Sequence, residues 1–234
     1  SWVQGARGTP LPVSGPPGTI AVAQGFNAAY ALDATYRTAH HGQEIANPAG
    51  AGLAAEEIVI PAGADSAVVL KKGDLTVTAI RVSHDPVKDA YAYRVDYKGR
   101  GIAISGDTAF DPRFARAAKG VDVIFHEALD RKLVGRMRQA AARNGSPAIA
   151  KVMADIPGYH ASPVEAAKIA QMAGARMLVF YHTIPPLPFG IVESLFLEGT
   201  GEAYDGEIRI SRDGDRVSLP AGGTALDYEN VLRR

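Results

Sequence analysis

The chain has 234 residues, and its 25 basic and 25 acidic side chains give a formal net charge of zero. This balance gives no whole-chain electrostatic signal for a nucleic-acid or membrane partner. The sequence holds no cysteine, which excludes disulfide frameworks and thiolate metal sites, so any metal must be bound by histidine and carboxylate ligands. Apolar residues make up 47% of the chain, which favours one folded domain over residues 1–234, and no apolar run is long enough to span a bilayer.

The N-terminal part predicts a strand, a turn and a helix. Residues 11–13 form a short apolar strand pattern, and the Gly- and Pro-rich residues 15–18 indicate a sharp turn. Apolar side chains at helical spacing then predict a helix over residues 19–36. Residues 38–67 begin with an aperiodic stretch containing Gly, His and Asn, and we expect a loop insertion there.

From residue 75 onward the pattern becomes that of a sheet with intervening helices. Two alternating runs joined through a Lys-Gly-Arg-Gly sequence predict a hairpin, and two later runs are almost entirely apolar, as in strands covered on both faces. The Asp-Gly pair at residues 213–214 predicts a further hairpin near the C-terminus. The predicted strands of the central region are residues 75–82, 92–97, 102–105, 121–125 and 177–181.

Helix signals separate these strands. Asp111 followed by proline predicts the start of a short helix that ends by Gly120. Residues 129–158 read as a helical insertion of two helices, interrupted by an Asn-Gly-Ser-Pro sequence. Ser162 and Glu165 have the spacing of a capping box and predict another helix start.

Three side chains stand at or just past the ends of predicted strands: His84, Asp107 and His182. Strand ends hold side chains rigidly beside a crevice, and imidazole and carboxylate groups are ligands of divalent metals. For any one such residue, a capping or core hydrogen-bonding role is the more common explanation. The three together are the stronger signal.

Each of these three side chains belongs to a short motif: Val82-Ser83-His84-Asp85, Ser105-Gly106-Asp107-Thr108 and Phe180-Tyr181-His182-Thr183. In this order, the motifs resemble those of the metallo-β-lactamase fold hydrolases, in particular their ribonuclease Z-like branch. The resemblance implies an α/β fold of the αββα sandwich type. It also implies that His84, Asp107 and His182 bind metal, with Asp107 bridging two zinc ions, although manganese or iron would suit the same ligands.

Two further motifs are similar to this branch. His126-Glu127-Ala128 resembles its His-Glu-Ala-Thr motif, with Leu129 in place of threonine, and His160-Ala161-Ser162 resembles its His-Ser-Thr motif. The resemblance implies that Glu127 and His160 are a catalytic pair, in which the carboxylate orients the imidazole and the imidazole assists the leaving oxygen. The alternative is that the pair merely closes a loop over a helix start. His126 is expected to be structural.

The family's first metal motif, HxHxDH, has no match in the sequence. His40 and His41 do not fit it, because no further His or Asp follows at the required spacing. We therefore expect that the N-terminal strands and four ligands lie in a longer protein, and that the chain as given is incomplete and inactive. The cellular compartment is not predicted.

The expected function is metal-dependent hydrolysis of phosphodiester or related ester bonds by a zinc-activated water. A sulfate ester or other small-ester hydrolase of the same fold is the first alternative, and a non-catalytic, degenerate binding module is the second. The expected partner is an ester substrate, either a small molecule or RNA; a membrane partner is not expected, and a homodimer stays open. Residues 39–67 hold no Lys or Arg, which argues against that segment gripping RNA, while the basic residues between 131 and 143 suit phosphates or a solvated helix face equally.

Overall fold

The computed structural model describes residues 2–232, and the chain divides into two compact units with the boundary between Val59 and Ile60. The single domain predicted over residues 1–234 stays a prediction. Among residues 2–232, no helix combines the length and the apolar character that a bilayer crossing requires.

The first unit pairs two short strands and carries two helices. Strand β1 (Leu11–Gly15) runs parallel to β2 (Leu53–Glu57), which confirms the strand predicted at residues 11–13. The helical stretch predicted over residues 19–36 is confirmed, but it is interrupted at Tyr30, whose φ of −100° and ψ of 6° separate α1 (Thr19–Ala29) from α2 (Ala31–His41).

The loop insertion predicted over residues 38–67 is wrong for much of its length. This segment contains the last turn of α2, a 3-10 turn at Pro48–Gly50, strand β2 and the start of the next strand. The physical reason is that β2 gains its hydrogen bonds from β1, some forty residues earlier, and local periodicity carries no information about such a partner.

The second unit is built on a seven-stranded mixed sheet with the strand order β3-β4-β5-β6-β7-β8-β9. The strands from β3 to β6 are antiparallel, which confirms the hairpin predicted before residue 105, and those from β6 to β9 are parallel. The strands are β3 (Ser66–Lys72), β4 (Leu75–Arg81), β5 (Tyr91–Tyr97), β6 (Arg100–Ile104), β7 (Val123–Leu129), β8 (Met177–Ile184) and β9 (Glu207–Ile210).

Up to residue 232, the second unit contains six α-helices, and two of them begin at the capping signals that the sequence predicts. The Asp111 carboxylate accepts the N–H of Arg113 and caps α3, and Ser162 and Glu165 form the predicted capping box of α6, which ends at the left-handed Gly174. The two helices predicted within residues 129–158 are α4 and α5. The helices are α3 (Pro112–Ala117), α4 (Arg131–Arg143), α5 (Pro147–Asp155), α6 (Pro163–Ala173), α7 (Gly190–Phe196) and α8 (Thr200–Ala203).

The hairpin predicted around residues 213–214 is wrong. A turn forms there, with Gly214 at a φ of 85°, but its flanking strands belong to different sheets. Strand β9 pairs with β8, whereas β10 (Asp215–Ser218) pairs with β11 (Asp227–Asn230) in a separate two-stranded sheet. The strand predicted over residues 121–125 is also displaced, since β7 begins at Val123 and continues to Leu129.

The central strands are covered on both faces, which explains their nearly continuous apolar sequence. On one face, Leu178 and Phe180 of β8 share a buried cluster with the alanine-rich side of α6. On the other, Met177 and Val179 share a cluster with Val217 and Tyr228 from the β10–β11 sheet. A central mixed sheet flanked by helices confirms the predicted α/β fold class.

Candidate metal centre

The chain direction brings the predicted site residues to one edge of the large sheet. Strand β4 is antiparallel to β5 and β5 to β6, so β4 runs in the same direction as β6, β7 and β8. His84 lies three residues after β4, and Asp107 three residues after β6. Glu127 lies near the carboxyl end of β7, and His182 lies near the carboxyl end of β8. The crevice beyond the carboxyl ends of parallel strands is the usual ligand site of such sheets.

The turn that carries Asp107 is locked to the loop that carries His84. The backbone N–H of Ala109 donates to the Ser83 carbonyl at 2.7 Å, and the Thr108 hydroxyl donates to the same oxygen at 3.3 Å. Gly106 has a φ of 60°, and a Cβ there would lie 2.7 Å from the Tyr91 carbonyl oxygen, so the Ser-Gly-Asp-Thr motif needs glycine at this position.

The tautomer of His84 follows from its hydrogen bond. Its Nδ1 lies 2.9 Å from the backbone carbonyl oxygen of Tyr159. A carbonyl can only accept, so Nδ1 must carry the proton, and the Nε2 lone pair is left free for a metal. Metal-bound histidines are commonly oriented by such a bond from the second ring nitrogen. Sequence reasoning missed the contribution of Tyr159, because it depends on a contact between residues 75 positions apart.

His182 occupies an unusual backbone conformation. It was predicted directly after a strand, but it lies inside β8, at a φ of 45° and beside a register shift between β7 and β8. A non-glycine residue in this region costs of order 1–3 kcal/mol, and such strain concentrates at functional sites. The distortion leaves His182 Nδ1 3.6 Å from Asp107 Oδ1.

Glu127 and His160 form the predicted pair at the base of this edge, and both side chains are buried. Glu127 Oε1 accepts backbone N–H groups from Thr108 at 3.3 Å and Ala161 at 3.1 Å, and it lies 3.2 Å from His160 Nδ1. The Nδ1–Oε1 contact is not aligned as a hydrogen bond, and Glu127 Oε2 has no hydrogen-bond partner among residues 2–232. A buried carboxylate with unused acceptor capacity is typical of a functional group rather than of a packing residue.

The potential ligand atoms converge in two overlapping sets. In one set, atoms of His84, Asp107 and His160 lie within 4.8 Å of one another; in the other, the same holds for Glu127, His160 and His182. All five residues predicted for the site are therefore brought together. His160 was predicted only as a catalytic residue, yet it belongs to both sets, and its position between them depends on the tertiary fold alone.

The other histidines lie outside both sets. His126 is fully buried, its Nδ1 is 2.6 Å from the Glu127 carbonyl oxygen, and its ring packs edge-on against Phe114. Burial lowers the pKa of His126, so the ring is neutral at pH 7. His40 and His41 are exposed in the last turn of α2.

A family model described as Beta-lactamase superfamily domain matches residues 18–183. The chain belongs to the beta-lactamase superfamily. This superfamily member is 27% identical over 213 residues to ribonuclease Z from Mycolicibacterium gilvum, covering 91% of the chain and 67% of that protein. It is 28% identical over 221 residues to ribonuclease Z from Mycobacterium tuberculosis, covering 94% and 73%. The predicted ribonuclease Z-like resemblance is thus confirmed.

A solved structure agrees with the beta-lactamase superfamily fold. The metallo-beta-lactamase fold protein YhfI from Bacillus subtilis superposes with a TM-score of 0.52 and 20% identity, covering 90% of this chain and 66% of that one. The chain therefore spans slightly less than two thirds of that protein's length.

The donor set of this beta-lactamase superfamily member fits a divalent cation. The side chains of Asp107 and His182 are 45% and 46% exposed, and His84 offers a free Nε2 lone pair, so a metal can reach all three from solvent. Mixed imidazole and carboxylate ligands suit zinc, and they also accept manganese or iron.

Proposed function

We propose that this protein is a metal-dependent hydrolase that cleaves phosphodiester bonds. One observation carries the proposal: imidazole and carboxylate atoms from five segments of the chain converge at the carboxyl edge of the sheet, and they include a buried Glu127–His160 pair. The similarity to ribonuclease Z supports a phosphodiester as the bond that is cleaved.

His84, Asp107 and His182 are the proposed metal ligands. Asp107 lies between the two histidines: its atoms join the first ligand set with His84, and its Oδ1 lies 3.6 Å from His182. This position suits a carboxylate that bridges two zinc ions. Bound zinc would supply Lewis acidity and would lower the pKa of a coordinated water to about 7.

Glu127 and His160 are the proposed proton-handling pair. Glu127 is anchored by two backbone N–H groups, so its Oε1 is held beside His160 Nδ1. The contact keeps His160 Nδ1 facing the carboxylate, although the two atoms are not aligned as a hydrogen bond, and Nε2 is then the ring atom that can donate a proton to the leaving oxygen. The role of Glu127 is thus to position His160 rather than to touch the substrate.

Substitution of the ligands tests the proposal. In the full-length protein, Asp107→Ala and His182→Ala should each abolish hydrolysis of bis-p-nitrophenyl phosphate and lower the zinc content, because each removes a ligand. The matched control is His40→Ala, which removes an exposed imidazole outside both ligand sets. Full activity together with full zinc content in the ligand variants would refute the assignment.

The same assay separates catalysis from metal binding at His160. We expect His160→Ala to retain its zinc and to lose roughly 10²–10⁴-fold in kcat, the usual contribution of general acid–base catalysis. Loss of zinc in this variant would instead make His160 a metal ligand. Rates on phosphodiester, sulfate ester, lactone and transfer-RNA precursor substrates then define the ester that is cleaved.

A further inference from the structure

The α4–α5 hairpin is strongly basic in a chain whose net charge is zero. Residues 131–155 contain six basic side chains and a single acidic one, Asp155. Such a local concentration of positive charge creates a field that attracts polyanions, even though the net charge of the whole chain is zero.

The charges are arranged along one side of α4. Lys132, Arg136 and Arg143 are separated by four and then seven residues, so they form one stripe on the helix surface. The buried residues of α4, Val134 and Ala141, lie on the opposite side of the helix. The stripe therefore faces solvent, and its eleven-residue span corresponds to roughly 16 Å along the helix axis.

Half of these six basic side chains are not neutralised within the protein. Three form ion pairs: Arg131 with Glu165, Lys132 with Glu198, and Lys151 with Asp155. Arg136, Arg138 and Arg143 form no ion pair with any carboxylate in the part of the chain that the structure describes. Unpaired guanidinium groups on a rigid helix lose little entropy when they bind phosphate, which they match in geometry.

Both ends of the hairpin are attached to the candidate metal centre. At the start of α4, Arg131 donates to the His160 carbonyl at 3.3 Å, and the Asp130 N–H donates to the Ile184 carbonyl of β8 at 2.8 Å. Beyond the end of α5, the Tyr159 carbonyl accepts from His84 Nδ1. The start of α4 therefore adjoins the candidate metal centre.

We propose that the stripe of Lys132, Arg136 and Arg143, the basic stripe, binds the phosphate backbone of a single-stranded RNA whose scissile bond lies at the candidate metal centre. The inference rests on the proposed function, because it extends the phosphodiester site to a polymeric substrate. Charge complementarity and the junction of the stripe with the site favour this ligand. The exposed Met137, Ile149 and Val152 of the same hairpin make an anionic membrane surface the competing occupant.

The test compares two charge-matched double variants. Arg136→Ala/Arg143→Ala removes two charges from the basic stripe, whereas Lys71→Ala/Lys72→Ala removes two exposed charges from β3. Lys72 pairs with Leu75, the first residue of β4. The length of β4, about 20 Å, therefore separates Lys72 from the strand end that His84 follows. Affinity for a fluorescent, unstructured RNA oligonucleotide is measured by anisotropy across a salt series, and affinity for phosphatidylserine vesicles by co-sedimentation.

We expect the stripe variant to bind RNA about tenfold more weakly than the control variant does at low salt, and its log Kd to depend less steeply on log salt, by ~1.4 for two lost phosphate contacts. Equal RNA affinity and equal slope in the two variants would overturn the proposal, and a loss confined to vesicle binding would assign the surface to a membrane instead. Hydrolysis of bis-p-nitrophenyl phosphate by the unsubstituted protein is measured separately, so a failure of the proposed function is distinguishable from a failure of the stripe.

Discussion

At the scale of single residues, the candidate centre depends on backbone geometry as much as on ligand chemistry. His182 stands at a positive φ inside a strand, and Asp107 follows a glycine that no other residue can replace without a clash. The Tyr159 carbonyl sets the tautomer of His84 without contributing a side-chain group. The proposed ligands are thus held by backbone constraints as well as by contacts of their own side chains.

Gly106→Ala tests this constraint. A Cβ at Gly106 would lie 2.7 Å from the Tyr91 carbonyl oxygen, whereas a Cβ at Gly120 would meet nothing within 4 Å, although both residues have a positive φ. Both alanine variants pay about 1–2 kcal/mol for the left-handed conformation. We expect Gly106→Ala to lose clearly more free energy of unfolding in urea denaturation than Gly120→Ala, and to weaken zinc binding as well. Equal losses would mean that the Asp107 turn adjusts freely.

At the scale of elements, helix starts hold the loops that carry the site. His160 lies two residues before the N-cap of α6, where the Ser162 hydroxyl accepts the Glu165 N–H at 3.2 Å and Glu165 Oε2 accepts the Ser162 N–H at 2.7 Å. Arg131, the first residue of α4, then joins Glu165 to the His160 carbonyl. The capping box therefore connects helix α6 to His160 of the proposed catalytic pair.

Ser162→Ala and Ser146→Ala form a matched pair for this element. Both serines are N-caps, but the Ser146 side chain makes no capping hydrogen bond at α5. We expect Ser162→Ala to cost about 1 kcal/mol of unfolding free energy, the usual value of a serine cap, and Ser146→Ala to cost clearly less. Thermal and urea denaturation measure both values, and an equal or larger cost at Ser146 would contradict the assigned capping box.

At the scale of the whole molecule, parallel strand direction creates the site. Strands β4, β6, β7 and β8 run in the same direction and end at one edge, and this arrangement is why residues as far apart as His84 and His182 lie close together. Local patterns in the sequence predict that His84, Asp107 and His182 lie at strand ends, and the resemblance to metallo-β-lactamase fold hydrolases implies that they bind metal. The sequence also predicted the caps at Asp111 and Ser162, because a cap is a local signal.

Long-range pairing was beyond the reach of the sequence. Asp213 and Gly214 do form a turn, but turn chemistry does not determine which strand lies beside β9. Local periodicity predicts a loop where strand β2 lies, because the partner of β2 in the sheet, β1, is distant in sequence. The presence of His160 in both ligand sets likewise depends on how the segments that carry the site residues pack against one another.

The location of bound zinc tests the central claim most directly. Anomalous X-ray scattering at the zinc edge, from crystals of the zinc-loaded protein, should give a peak at coordination distance, about 2.0–2.2 Å, from His84 Nε2 and from the Asp107 carboxylate. The same map should also show zinc at coordination distance from a ring nitrogen of His182. A zinc peak elsewhere in the molecule, with none at the carboxyl edge of β4, β6 and β8, would contradict the account.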